Sequence, residues 1–241
     1  MKIAEKLKAT TIDRHLAGVT IAFLGDSVTQ GCFELYMDQG EIKPVFEQRS
    51  AYCQRVFDIL ATLYPRVPVH VINAGRSGDR ACKGVHRLER DVLSHAPDLV
   101  VVCYGLNDCR RDEGSVQTYA NALREIFTAV QARGCELLFM TPNMMNTTVS
   151  PHVTDPAMIR VAEDTMGRQN DGIFDAHLDA ARALCAEMGV PVCDCYKIWQ
   201  DMYRSGVNVT ELLSNKINHP TREMHSLFAY ELVKMMLRED V

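Results

Sequence analysis

The sequence predicts an α/β protein in which a parallel sheet is covered by helices on both faces. Short apolar runs rich in β-branched residues recur along the chain, and amphipathic helical patterns lie between them. The runs are continuous rather than alternating, as expected of strands buried on both sides. The order strand, helix, strand, helix therefore repeats, which calls for right-handed crossovers onto one sheet.

Five runs form the expected sheet: Val19 to Leu24, Val67 to Asn73, Leu99 to Tyr104, Glu136 to Thr141 and Val190 to Cys193. Helices are expected at Ala51 to Leu63, Ala81 to Ser94, Val116 to Arg133 and Asp171 to Met188, with a last one over Thr221 to Arg238. Gly134 and Gly189 sit where helices end, and Pro65, Pro97 and Pro191 stand at junctions no helix can cross. Gly31 to Arg49 and Pro142 to Asn170 read as irregular segments following strand ends. Open α/β sheets bind ligands at the carboxyl ends of their strands, so these segments are expected to wall a site.

Composition narrows the function. The chain has 241 residues, 47% hydrophobic and 24% charged, which fits one globular domain over 1–241 with a sizeable core. A net charge of −5 gives no electrostatic reason to expect nucleic acid or an anionic membrane. A small-molecule substrate suits it better, and a homo-oligomer stays open. The N-terminal stretch lacks a continuous apolar core and a cleavage site, and no window approaches the ~18 apolar residues of a membrane span. Nine cysteines, scattered through apolar segments, read as reduced thiols in a cytoplasmic protein. No His-Glu-x-x-His, Cys-x-x-Cys or phosphate-binding glycine loop is present, so neither metal nor cofactor is expected.

The strand ends carry the chemistry. After the first run comes "GDSVTQG" with Ser27, after the second "NAGRSGD" with Gly75, after the third "GLND" with Asn107, and "INHPT" with His219 precedes the final helix. Acyl transfer needs such a set: a hydroxyl nucleophile, a base within hydrogen-bond reach, and donors aimed at the developing oxyanion. Taken singly, each residue has a plain structural use: Ser27 as a helix cap, Gly75 and Asn107 as turn residues, His219 as a surface or capping residue. Arg76, Arg80, Arg110 and Arg111 cluster near the same ends, as solvated surface charges or as partners of an anionic substrate group. Met144 and Met145, in the loop after the fourth run, either wall the pocket or pack inside.

Four motifs in this order, at these positions, resemble the SGNH hydrolases, the GDSL esterase and lipase family. The resemblance implies a flavodoxin-like three-layer α/β/α sandwich with a five-stranded parallel sheet. It also implies ester hydrolysis without a metal, through an acyl-enzyme on Ser27. His219 would be the base, and the Ser27 and Gly75 N–H groups and the Asn107 amide would form the oxyanion hole. The substrate class it suggests is a small soluble ester, an O-acetylated carbohydrate first among them.

One departure is plain. The family places an aspartate three residues before the histidine; here that residue is Lys216, which cannot accept from an imidazole N–H. Three explanations are open. A neutral acceptor, the Asn215 side chain or a backbone carbonyl in the Ser214 to Ile217 turn, gives a Ser-His dyad, and this is favoured because the rest of the set is intact. A carboxylate from Asp194 or Glu223 reaches the ring instead. Or the site is degenerate, and the protein binds carbohydrate or another partner without turnover.

Overall fold

The computed structural model describes residues 1–13 and 15–238. In chain order it forms α1 (Lys2–Ile12), β1 (Val19–Gly25), the single-turn α2 (Ser27–Gln30), β2 (Cys32–Asp38), β3 (Glu41–Phe46), α3 (Tyr52–Leu63), β4 (Val69–Gly75) and α4 (Ala81–Asp91). There follow β5 (Leu99–Cys103), α5 (Ser115–Ala132), β6 (Glu136–Met140), α6 (Pro156–Asn170), α7 (Ile173–Met188), β7 (Val192–Cys193), α8 (Cys195–Arg204) and α9 (Arg222–Met236).

The five expected strands form one parallel sheet in the order β4-β1-β5-β6-β7. Residues alternate between its two faces, which explains the continuous apolar runs. Ile21, Phe23, Leu99, Val101, Leu138 and Met140 pack against α1, α3, α8 and α9. Ala22, Leu24, Val100, Val102, Leu137 and Phe139 pack against α4, α5 and α7. The three layers and the strand order agree with the flavodoxin-like expectation.

Several elements were not legible beforehand. The segment 31–49, expected to be irregular, is largely the antiparallel hairpin β2–β3, separate from the main sheet. The second irregular segment ends in a 15-residue helix, α6, capped by Asp155 and opened by Pro156. The helices α1 and α8 are likewise additions. Met144 and Met145 are buried, 4% and 0% exposed, so they pack inside. All nine cysteines are free thiols, and no helix among the described residues is long and apolar enough to cross a membrane.

Candidate active site

The serine sits where β1 ends. Gly25 is required there, because a Cβ would stand 2.1 Å from Thr29 Oγ1 and 2.6 Å from the Cys103 carbonyl oxygen. Asp26 then caps α2 by accepting the Val28 N–H at 3.0 Å, which leaves the N–H of Ser27, the first residue of that turn, without an intrahelical partner. Ser27 and His219 are nearly buried, at 4% and 5% exposure.

The two meet directly: His219 Nε2 lies 2.9 Å from Ser27 Oγ. The other ring nitrogen, Nδ1, lies 3.1 Å from the backbone carbonyl oxygen of Phe33, the second residue of β2. A carbonyl oxygen only accepts, so Nδ1 carries the proton and Nε2 is free to accept from the serine hydroxyl. Burial pushes the His219 pKa down to about 4, against smaller upward pulls from the Phe33 carbonyl and the Glu34 charge.

None of the three side chains expected to orient the ring touches it. Asn215 Oδ1 instead accepts the N–H groups of Ile217, Asn218 and His219 at 3.0, 2.9 and 3.0 Å, gathering the loop behind the histidine. The Ser214 N–H donates to the His219 carbonyl at 2.7 Å and closes that loop. Lys216 adopts the left-handed conformation, φ +58°, and turns its ammonium to Glu211. Asp194 is committed elsewhere, capping α8 and receiving Thr141 Oγ1 and Arg182. Glu223 is exposed on the first turn of α9. The acceptor is neutral, but it comes from β2 rather than from the Ser214 to Ile217 turn.

A second correction concerns Gly75. Its N–H already donates to Asn73 Oδ1 at 2.9 Å, and a Cβ there would stand 2.2 Å from the Gln30 backbone nitrogen. Gly75 is therefore a packing glycine that lets β4 lie against α2. Gly78, in the same motif, is exposed with φ +70° and open space where a Cβ would be. Its N–H has no hydrogen bond among the described residues. Gly78 lines one cleft with Asn107, whose amide donates to the Asp79 carbonyl at 2.9 Å and lies 3.5 Å from Asp26 Oδ2.

Beneath these loops lies Arg87, 6% exposed and missed beforehand because it reads as one more charge on an amphipathic helix. It pairs with buried Asp79 and donates to the carbonyls of Ala74 at 2.7 Å and Gly25 at 3.0 Å. One guanidinium thus ties together the ends of β1 and β4 and the turn that holds Asn107. Burial also raises the carboxyls of Asp26 and Asp108 to a pKa of about 7. Among the described residues no group of three or more His, Cys, Asp or Glu is placed to hold a metal ion.

A serine hydroxyl hydrogen-bonded to an imidazole thus lies at the carboxyl edge of a flavodoxin-like sheet. The chain belongs to the GDSL-like lipase/acylhydrolase family, a family of carboxylic ester hydrolases whose model matches residues 23–227. It is 31% identical over 100 residues to an acetylxylan esterase of Geobacillus stearothermophilus, a match covering 39% of this chain and 42% of that protein. In that match the chain spans about two fifths of the relative's length. A solved acetylxylan esterase from the same organism superposes with a TM-score of 0.68 at 17% identity, over 92% of this chain and 96% of the other. A lipase/acylhydrolase from Enterococcus faecalis gives a TM-score of 0.66 at 21% identity, over 91% and 95%.

Proposed function

We propose that the protein is a serine esterase that removes acetyl groups from a carbohydrate through an acyl-enzyme on Ser27. The observation that carries this is the 2.9 Å contact between His219 Nε2 and Ser27 Oγ, with Nδ1 engaged at the Phe33 carbonyl. The acetylxylan esterase relative supports the substrate class.

In the first half-reaction Ser27 Oγ attacks the ester carbonyl as its proton passes to Nε2. The carbonyl π electrons move onto oxygen, where the Ser27 and Gly78 N–H groups and the Asn107 amide are the donors at hand. The tetrahedral intermediate collapses, the alkoxy bond breaks, and the imidazolium returns the proton to the departing alcohol. Water then repeats the sequence on the acyl-serine, releasing acetate. The imidazolium formed on the way is held by a peptide dipole instead of a carboxylate, with the Glu34 charge assisting at longer range.

Acetylated xylo-oligosaccharides and 4-nitrophenyl acetate should be hydrolysed with a burst of alcohol, and Ser27→Ala should abolish both the burst and turnover. A fluorophosphonate should label Ser27 alone. Equal rates for wild type and Ser27→Ala, or no labelling, would leave the non-catalytic binding reading in its place.

A further inference from the structure

Resting on the esterase reading above, we propose that the alcohol portion of the substrate carries an anion, a carboxylate or a phosphate, seated in a cationic cleft beside the oxyanion donors. The cleft, about 530 Å³, is lined by Gly78 and Asn107 at one end. Five cationic side chains line the rest: Arg80, Lys83, Arg110, Arg111 and Arg168. Only two carboxylates, Asp112 and Asp164, share the lining. This excess of positive charge lies in a chain whose net charge is −5, so it is a local concentration and not the average of the surface.

The cations differ in how far they are already neutralised. Arg110 pairs with Asp112 at 2.7 Å, Arg111 with Asp171 at 2.9 Å, and Arg168 with Asp164. Among the described residues Arg80 and Lys83 have no ion-pair partner within 4 Å, whereas Arg168 is committed to Asp164 and to the Cys109 carbonyl. Arg80 occupies the N-cap position of α4 without a side-chain cap bond, and Lys83 follows in the first turn, where the helix dipole adds to the positive potential. The carboxyl that feels Arg80 from a distance, Asp108, is buried and accepts the Ala81 N–H on its Oδ1. Arg80 and Lys83 therefore leave the cleft with positive charge that the protein's own carboxylates do not neutralise.

The position of the cleft decides which part of the substrate is charged. A group bound there lies next to the donors that receive the oxyanion. An acetyl group has no ionisable function, so in an acetyl ester the anion belongs to the alcohol being released. The chemistry that fits is an acetylated acidic sugar, a uronate or a sugar phosphate.

The test compares kcat/KM for three matched substrates: O-acetylglucose, O-acetylglucuronate and O-acetylglucose 6-phosphate. At low salt at least one anionic ester should exceed the neutral parent by about tenfold, and the ratio should fall toward one in molar salt. Whether the uronate or the phosphate leads identifies the anion. Joint replacement Arg80→Gln with Lys83→Gln should collapse the ratio, while Arg124→Gln, an exposed arginine of α5 paired with Glu187 and outside the cleft lining, should not. A wild-type ratio at or below one, or a ratio that survives the double replacement, would overturn the proposal while leaving the esterase intact. Failure to hydrolyse even the neutral esters would instead overturn the esterase reading.

Discussion

His219 is held by a peptide carbonyl where a charged acceptor is usual, and its pKa follows from that. Burial disfavours the imidazolium and no adjacent carboxylate offsets it, so the ring stays neutral until about pH 4. As the proposed base, His219 works only in its neutral form, so activity should be lost as pH falls through that value and not through the ordinary histidine range. Between pH 6.5 and 5.5, kcat/KM should change less than twofold, whereas an unperturbed histidine would cost about fivefold. An acidic limb centred near 6.5 would show that the ring is more solvated than the structure has it. Ser27, Asn107 and His219 were legible because each stands in a local motif, the first two at strand ends and His219 just before the last helix. The Phe33 carbonyl was not, since every residue has one and only the path of the chain brings this one to the ring. Gly75 and Gly78 share a motif, and what separates them is visible only in three dimensions: the Gly75 N–H is taken by Asn73 Oδ1, while that of Gly78 has no partner among the described residues.

At the scale of elements, the central strands were legible because parallel strands buried on both faces leave long apolar runs. The hairpin was not: β2 and β3 are half exposed, mix charges with apolar residues and include Pro44, so neither period stands out. Asp155-Pro156 is the one local signal that marks the start of α6. The hairpin matters because it carries Phe33. Arg222, at the start of α9, makes two contacts to Glu34 at 2.6 and 3.1 Å and one to Glu47 at 2.6 Å, with its guanidinium 4.4 Å from the Phe33 ring centre. The His225 ring packs on Phe33 from the other side, 4.9 Å between centres. This clamp fixes the carbonyl relative to α9 and hence to His219. Arg222→Gln should lower kcat about tenfold with KM within twofold, and should broaden or shift the acidic limb, measured by steady-state kinetics across pH. A variant with altered KM alone would mean that Arg222 acts on substrate rather than on the base.

For the whole molecule, the buried titratable groups pull stability in opposite directions. His219 and His225, at about 4 and 3, are depressed from 6.5, so the unfolded chain takes up protons that the folded one refuses. Their contribution is complete above pH 6.5 and is lost as pH falls toward 4. Asp26 and Asp108, at about 7, are raised from 3.8, so theirs is complete below 3.8 and lost as pH rises through 7. Each group contributes up to about 1.4 kcal/mol per pH unit, so across pH 4 to 6.5 the pairs nearly offset one another. Replacing both aspartates by asparagine, which caps equally well, should make stability rise steeply with pH in this window, as followed by chemical denaturation. A slope equal to that of wild type would mean the two carboxyls are ionised in the folded state.

The Phe33 carbonyl belongs to the main chain, so no side-chain replacement can delete it; only a displaced backbone can. The His219 ring is therefore insured against point substitution at its acceptor but exposed to motion of a two-stranded ribbon outside the main sheet, with Tyr36 and Phe46 51% and 43% exposed. Heat reaches such a ribbon before it reaches the interior. With Ser27 and His219 working as proposed, turnover should fade on warming while the three layers remain assembled, and its optimum should lie below the temperature at which the fold gives way.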